Sequence, residues 1–212
     1  TPGQLDAGDT LAASTPTNGS GQYSFSLDPG DYIIVEELRS GWLQSEPTTD
    51  VNGGTQSRAE YGYAISLVSG QDHTDNDFGN YRLATKSGIK YEDVNFSGDY
   101  EPGTDTLLAN WTIYAYRDVG TTPGELDAGD MLVASTLTDA NGEYSFNLAP
   151  GDYIIVEELR SGWLQSQPMT DVNGGTLGRS ENGYAISLVS GQDHTDNDFG
   201  NYHLATKSGI KY

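Results

Sequence analysis

Oxygen-bearing side chains stand at alternate positions in the segment that begins at Asp93. Asn95 and Ser97 follow at the third and fifth positions, and Gly98 stands at the sixth. This spacing is typical of the first half of a calcium loop, because calcium takes about six to eight oxygen ligands and the glycine permits a sharp turn. The acid expected at the twelfth position comes one residue late, which indicates a one-residue insertion. The predicted calcium ligands are Asp93, Asn95, Ser97, Asp99, Glu101 and Asp105. A solvated acidic turn is the alternative.

A second acidic segment runs from Asp118 to Asp130. Its second half shows a similar spacing, because acids follow Gly124 at three-residue intervals. In its first half, Thr and Pro stand where Asn or Asp would be expected. We predict a second calcium site on Asp118, Asp127 and Asp130. Asp6 and Asp9 are the counterparts of Asp127 and Asp130, and we expect any site that they form to be incomplete.

The apolar residues around these loops alternate with period two. Tyr184-Ala-Ile-Ser-Leu188 is one example, and Gly- and Pro-containing turns separate it from similar runs. This pattern predicts short β-strands. Seven are expected, near residues 87–92, 110–117, 130–138, 143–148, 152–160, 183–190 and 197–204. Short strands between regular turns predict an all-β fold of antiparallel β-sandwich domains.

The chain repeats itself. Residues 122–212 reproduce residues 1–91 with 17 substitutions, at an offset of 121 positions. A period of this length is a whole domain rather than a solenoid unit. We therefore predict a partial sandwich repeat at 1–86, a complete repeat at 87–207, and the first strand of a following repeat at 208–212. Near-identical domains in series favour a structural role.

Composition excludes several functions. The net charge of −21 disfavours binding to nucleic acid or to an anionic membrane. No apolar run is long enough to span a bilayer, so we predict no membrane insertion in this segment. The chain has no cysteine. No Ser/His/Asp constellation or helix-borne metal motif is evident, and we predict that the protein is not an enzyme.

Five motifs in order resemble the SdrD-type B domain repeats, which are calcium-binding prealbumin-like or immunoglobulin-like sandwiches of bacterial surface proteins. They are Gly88–Asn95, Asp127–Asp130, Thr138–Phe146, Pro150–Tyr153 and Asp198–Tyr202. The resemblance implies an extracellular location and calcium ions that stiffen a rod of repeats. The extra residue before Asp105 and the altered start of the second loop depart from the family pattern.

A neighbouring family, the collagen-adhesin B-type domains, adds another expectation. Its members join a lysine on the first strand to an asparagine on the last through an isopeptide bond, assisted by a buried acid. Lys90, Asn201 and either Glu157 or Glu158 occupy comparable places in this sequence. Lysine and glutamate are also common on strand surfaces, and that is the alternative reading.

These patterns predict a calcium-stabilised spacer in an adhesin stalk or an extracellular filament. The expected partners are neighbouring identical repeats, with self-assembly by donation of the 208–212 strand as a further hypothesis. A carbohydrate-binding module of a secreted protein is the alternative function, because 14 Tyr and three Trp residues could stack on sugars.

Overall fold

The computed structural model describes residues 1–54, 59–174 and 181–212. It divides into two compact units, Thr1–Tyr81 and Arg82–Tyr212, which are described separately below. All regular structure in the described ranges is β-strand or turn, with no helical segment. This agrees with the predicted all-β class. The division between the units falls after residue 81, whereas the sequence suggested a boundary after residue 86.

In residues 1–54 and 59–81, the part of the first unit that the structure describes, there are four short strands in two pairs. They are β1 (Gly30–Val35), β2 (Leu43–Glu46), β3 (Gly62–Leu67) and β4 (Gly79–Tyr81). β1 pairs with β3 and β2 pairs with β4, both antiparallel. This unit therefore presents only part of a sandwich.

The described residues of the second unit, 82–174 and 181–212, contain ten strands. They are β5 (Ala84–Glu92), β6 (Thr106–Leu107), β7 (Thr112–Arg117), β8 (Met131–Leu137), β9 (Glu143–Leu148), β10 (Gly151–Glu157), β11 (Leu164–Gln167), β12 (Gly183–Leu188), β13 (Asp193–His194) and β14 (Phe199–Tyr202). One sheet has the order β12-β10-β7-β8, and the other is built around β5.

β5 is the central strand of the second sheet. On one edge it pairs with β9 and then β6, both antiparallel, and on the other edge with β13 and then β14, both parallel. The parallel pairing aligns Phe199 with Lys90 and Asn201 with Glu92. β5 and β14, the first and the last strand of the unit, therefore lie side by side.

One apolar core lies between the two sheets. β9 buries every second residue, Tyr144, Phe146 and Leu148, as the alternation of its sequence requires. These side chains meet those of the facing sheet, including Trp111 and Ile155, in a single cluster. β10 is buried on both faces, because Ile154 and Val156 pack beneath Leu126 and Val172. This arrangement is the predicted β-sandwich.

All seven predicted strands are present in the second unit, with ends shifted by a few residues. The sequence did not reveal β6, β11 and β13, which have only two to four residues each. Such strands are too short to show an alternation of their own, and they exist because a neighbouring strand pairs with them.

Two segments of the first unit remain outside its sheets although their sequences repeat β8 and β9. Residues 10–16 and 22–27 carry no strand, while their counterparts 131–137 and 143–148 do. In the second unit β8 pairs with β7, and β9 pairs with β5. No strand in the described part of the first unit occupies the place of β5 or β7. The backbone of these segments therefore lacks the partner that defines a strand.

The two copies allow a matched test of the core. Ile155 is fully buried between the sheets, whereas its counterpart Ile34 is only half-buried. We expect Ile155→Ala to lower the free energy of unfolding of the second unit by about 2–5 kcal/mol, because it removes packed atoms and leaves a cavity. Ile34→Ala should cost clearly less in the first unit. Urea unfolding, followed by tryptophan fluorescence, measures both, and equal losses would contradict the assigned core.

Candidate functional site

A lysine is completely buried at the junction of β5 and β14. The side chain of Lys90 has no solvent-exposed surface. Its Nζ lies 3.1 Å from Glu157 Oε2, donates a hydrogen bond to the carbonyl oxygen of Phe199 at 3.2 Å, and makes a close contact with Asn201 Oδ1. The three predicted isopeptide residues therefore meet at one point inside the sandwich.

Each member of this group is placed by a regular element. Lys90 lies on β5, Asn201 lies two residues beyond Phe199 on the adjacent parallel strand β14, and Glu157 is the last residue of β10 in the facing sheet. Glu157 and Asn201 are buried almost completely, with 2% and 1% exposure. The group thus joins both sheets across the core.

The structure distinguishes between the two candidate acids. Glu158 is partly exposed and accepts hydrogen bonds from Thr112 Oγ1 and from Arg160. Glu157 points inward instead. Its Oε2 lies 3.1 Å from Lys90 Nζ, which is the distance of an ion pair. Glu157, not Glu158, is the acid of this site.

Aromatic and apolar side chains enclose the site. Lys90 Nζ lies 4.5 Å from the centre of the Trp111 ring, and Trp111 is held by a 2.7 Å hydrogen bond from its Nε1 to the carbonyl oxygen of Glu158. Arg160 covers the ring, 4.4 Å from its centre. Sequence reasoning missed the roles of Trp111 and Arg160 at this site, and only a three-dimensional arrangement could have revealed them.

Burial shifts the ionisation of both charged groups toward neutrality. Removal from water lowers the pKa of Lys90 from 10.5 to about 8, although the nearby Glu157 opposes the shift. Burial raises the pKa of Glu157 from 4.5 to about 7, against the opposing effect of Lys90. A low-dielectric site disfavours the charged form of each. Burial therefore favours the neutral amine of Lys90 and the neutral carboxylic acid of Glu157 over their charged forms.

This arrangement has the chemical parts for amide exchange. A neutral amine is a nucleophile, a carboxamide carbon is an electrophile, and a carboxylic acid can carry the proton that the departing nitrogen needs. The side chains are also held together by packing rather than by chance encounter, which raises their effective concentration.

The first acidic loop is closed by its own acids. Asp93 is buried and accepts hydrogen bonds from the backbone amides of Ser97 and Gly98, each at 2.9 Å. Asp105 accepts from the amides of Val94 and Glu101, at 3.1 and 2.8 Å. Burial works against ionisation of Asp93, but the backbone hydrogen bonds outweigh it and its pKa is lowered.

The remaining predicted ligands of this loop lie nearby on its exposed side. Asn95 Nδ2 donates to Glu101 Oε2 at 2.6 Å, and Ser97 Oγ donates to the carbonyl oxygen of Asp99 at 3.0 Å. The structure thus brings together the six residues that the sequence named for this loop. All of them offer oxygen, which is the ligand atom that calcium prefers.

The second acidic loop has a similar internal order. Asp127 accepts from the amides of Thr121, Thr122 and Gly129, and the hydrogen bond from Gly129 is the main reason that its pKa is lowered. Asp130 accepts from the amides of Val119, Gly120 and Asp127.

Asp118 accepts from the amide of Gly124 at 2.7 Å, so it too ties this second loop together. The first unit repeats the end of the loop, because Asp9 accepts from the amide of Asp6 and Asp6 accepts from that of Gly8.

No group of three or more His, Asp or Glu side chains is placed to hold a metal ion in residues 1–54, 59–174 and 181–212. The loop carboxylates described above are engaged mainly with backbone amides. The donor chemistry of the first loop fits calcium, and calcium binding stays a prediction for both loops.

The first unit contains the counterparts of two members of this site, but they are less buried: Glu36 is half-buried and Asn80 is exposed. Glu36 and Asn80 are the counterparts of Glu157 and Asn201, and Asn80 Nδ2 donates to Glu36 Oε2 at 2.7 Å. The other carboxylate oxygen, Oε1, is buried without a hydrogen-bond partner among the described residues. The sequence analysis missed this pair, although the 121-residue offset identifies both residues.

The aromatic residues that could have bound sugars are used internally in the second unit. Trp111 and Trp163 pack edge to face with ring centres 5.4 Å apart, and His203 lies 3.7 Å from the ring of Trp163. Trp42, the counterpart of Trp163, is 43% exposed.

Comparison with known proteins shows similarity to serine-aspartate repeat-containing proteins. The chain is 28% identical over 203 residues to serine-aspartate repeat-containing protein F of Staphylococcus epidermidis, a match that covers 92% of this chain and 10% of that protein. It is 24% identical over 199 residues to serine-aspartate repeat-containing protein D of Staphylococcus aureus, covering 92% of this chain and 14% of the relative. These matches confirm the predicted resemblance to the Sdr proteins.

Similarities extend beyond staphylococci. Colossin-A of Dictyostelium discoideum is 29% identical over 151 residues, which is 70% of this chain and 1% of that protein. Among solved structures, GBS52, the minor pilin of Streptococcus agalactiae, matches with a TM-score of 0.37 and 16% identity over 73% of this chain and 67% of the pilin. No family model matches the sequence. The chain spans about a tenth of the first Sdr relative.

The portions of the chain that the structure describes contain no helix with the length and apolar character needed to cross a membrane.

The shifted pKa values predict an unusual pH dependence in a protein that cannot form the bond, Asn201→Ala. The folded state keeps a proton on Glu157 between pH 4.5 and about 7 that the unfolded chain releases, so stability falls as pH rises through that window. The unfolded chain keeps a proton on Lys90 between about pH 8 and 10.5 that the folded state lacks, so stability rises there.

The pair should therefore contribute least between about pH 7 and 8. The measurement is the free energy of unfolding of Asn201→Ala across this range, minus that of the triple variant Lys90→Met, Glu157→Gln, Asn201→Ala. A difference that is flat, or that peaks near neutral pH, would contradict the assigned environment.

Proposed function

We propose that the chain is a load-bearing repeat segment of an extracellular bacterial surface protein, an adhesin stalk or filament, in which a covalent Lys90–Asn201 bond locks the complete unit. Several features support a structural role: the repeat itself, the similarity to Sdr proteins, and a sandwich whose polar cluster is enclosed rather than open to a substrate. The observation that carries the proposal is the buried meeting of Lys90, Glu157 and Asn201.

The proposed reaction begins with a proton transfer from Lys90 to Glu157. The neutral Lys90 Nζ attacks Cγ of Asn201, Glu157 delivers its proton to the departing nitrogen, and the carboxylate then takes up the proton that the lysine nitrogen loses as the amide forms. A carbon–nitrogen bond to lysine forms, the carbon–nitrogen bond to the original amide breaks, and one ammonia leaves. Nothing is oxidised or reduced. The product is an amide, which removes the cost of burying a charged lysine.

The position of this bond suits a mechanical role. β5 and β14 are the first and last long strands of the unit, and they run parallel and adjacent. Tension applied along an array of repeats would pull on residues close to these two strands. A covalent link between positions 90 and 201 carries that force directly, so the polypeptide between them is not extended.

We also propose that calcium binds to the two acidic loops. Both loops gather carboxylates in a chain of net charge −21, and a bound cation would reduce their mutual repulsion. In the first loop, Asp93 and Asp105 would be the anchoring ligands because they are the buried acids. An ion held there would stiffen the connection between β5 and β6.

Intact mass tests the covalent bond. We expect the monomer of the polypeptide 1–212 to weigh less than its sequence requires by the mass of one ammonia, even after denaturation. Lys90→Arg, Asn201→Ala and Glu157→Gln should each restore the full mass, since they remove the nucleophile, the electrophile and the proton carrier. Lys207→Arg, on an exposed residue, is the matched control and should keep the deficit.

The same variants should be less stable. The bond closes a loop of about 110 residues, for which the chain-entropy model of crosslinks gives about 4.7 kcal/mol. Chemical denaturation of Glu157→Gln against the control measures this loss. A full-length mass for the unmodified sequence would refute the covalent lock.

Thermal melting tests calcium. We expect the melting temperature of the second unit to rise with calcium and to fall with a chelator, because an ion that binds only the folded state stabilises it. Asp93→Ala and Asp127→Ala should each remove part of the response, whereas Asp193→Ala, an exposed acid outside both loops, should not. If the melting temperature does not respond to calcium, the proposed calcium stabilisation is refuted, whereas the proposed covalent bond is not affected.

A further inference from the structure

Arg160 and Lys90 share the ring of Trp111. Lys90 Nζ lies 4.5 Å from the ring centre, and the guanidinium carbon of Arg160 lies 4.4 Å from it. The two cationic groups are therefore no more than 8.9 Å apart, which is the sum of these two distances. An aromatic ring attracts a cation over its face, but two cations at one ring repel each other. The ring thus brings a second positive charge close to the buried amine.

Hydrogen bonds hold the guanidinium of Arg160 in this place. Its Nε and Nη2 donate to Glu158 Oε2 at 3.1 and 2.9 Å, and Nη2 also donates to the carbonyl oxygen of Asn110. Thr112 Oγ1 donates to the same carboxylate oxygen of Glu158 at 3.0 Å. The guanidinium is therefore tied both to Glu158 and to the residues at the start of β7.

The indole of Trp111 is fixed as firmly. Its Nε1 donates to the carbonyl oxygen of Glu158 at 2.7 Å, and its backbone amide donates to Thr138 Oγ1 at 3.0 Å. Trp163 packs against it edge to face. Glu158 therefore holds the ring through its backbone carbonyl and holds Arg160 through its carboxylate. The acid that is not the proton carrier thus has a place in the same assembly.

The charge of Arg160 acts on Lys90 in the direction that the proposed reaction needs. Burial is the main cause of the lowered pKa of Lys90; the carboxylate of Glu157 opposes the shift, and Arg160 adds to it. Glu181 is the other acid that acts on Glu157, and it favours the protonated form. The side chain of Arg160 is 35% exposed and paired with Glu158, so water and that carboxylate weaken its effect without removing it.

We propose that Arg160 is a positioning residue for bond formation between Lys90 and Asn201, which holds Trp111 against the amine and, by its charge, favours the neutral amine over the ammonium. The inference rests on the proposed function, because it assumes that Lys90 reacts with Asn201. No bond of Arg160 forms or breaks, and the reaction keeps the balance given above. At this distance, and at the effective dielectric constants found near a protein surface, loss of the charge should lower the neutral fraction of Lys90 about two- to tenfold.

The first test is the titration of Lys90 in the polypeptide 1–212 carrying Asn201→Ala, which cannot form the bond. The carbon NMR signal of Lys90 Cε, assigned by its loss in Lys90→Arg, reports the protonation of Nζ. We expect Arg160→Met to raise the pKa of Lys90, because the repulsive charge is lost while an unbranched side chain still covers the ring. Arg160→Lys keeps the charge and should leave the titration nearly unchanged.

The second test is the rate of bond formation. The polypeptide 1–212 is made by cell-free synthesis, sampled at intervals after synthesis is stopped, and weighed for the loss of ammonia. At neutral pH we expect Arg160→Met to react about two- to tenfold more slowly and to reach the same final mass. Arg160→Lys should react at close to the unmodified rate. Limited proteolysis of the same samples follows folding, so that a slower reaction is distinguished from slower folding.

Arg117→Met is the matched control. The guanidinium carbon of Arg117 also lies over an aromatic ring, 5.0 Å from the centre of Tyr153, but at the opposite end of β7 from Trp111. This variant should change neither the titration of Lys90 nor the rate of bond formation.

The outcomes separate this inference from the proposed function. If the unmodified sequence keeps its full mass, the proposed function fails and the role of Arg160 fails with it. If ammonia is lost but Arg160→Met changes neither the rate nor the titration, the role of Arg160 is refuted and the bond stands. An Arg160→Lys variant as slow as Arg160→Met would also refute it, because the charge would then have no effect. Arg160→Gln, which is neutral and polar, takes the place of Arg160→Met if that variant does not fold.

Discussion

The organisation of the second unit depends on one constraint, which is that an amine is completely removed from water. A buried ammonium is costly unless a counter-charge and hydrogen-bond acceptors accompany it, and here Lys90 has Glu157, the Phe199 carbonyl and Asn201. To bring these groups together, the first and last long strands must be neighbours and the facing sheet must end a strand at Glu157. The order of strands around β5 therefore follows from the same requirement as the chemistry.

The opposite pKa shifts of Lys90 and Glu157, both caused mainly by burial, link this packing to reactivity. A salt bridge in the core would stay ionised if both groups kept their ordinary pKa values, and a charged amine is no nucleophile. Burial moves the two pKa values to about 8 and about 7, close to each other and to neutral pH. Folding thus favours the neutral, nucleophilic form of the amine that the proposed reaction requires.

The sequence predicted the fold well and the site only in outline. Alternation marked the long strands because each of them has one face in the core, as in β9. It could not show β6 or β13, which depend on β5 for their pairing. Alternation also could not decide between Glu157 and Glu158. Adjacent residues on a strand point to opposite faces, and only the register decides which one faces the core. The Glu36–Asn80 pair was within reach, because the repeat identifies both residues. The acidic loops kept their predicted members together, but their ligand roles depend on an ion.

Nearly identical residues are buried to different degrees in the two units. Tyr144, Phe146 and Leu148 are buried, whereas Tyr23, Phe25 and Leu27 are half-buried. The difference comes from the strands beside them rather than from the residues themselves. A β-strand is defined by its partners, so the same segment is a core strand in one unit and carries no strand in the other.

The most direct test of the covalent lock is an experimental structure of the second unit at a resolution that separates bonded from non-bonded atoms. The account predicts continuous density and a separation of about 1.33 Å between Lys90 Nζ and Asn201 Cγ, the length of an amide bond. Two separate side chains at non-bonded distance, each with its full complement of atoms, would contradict it.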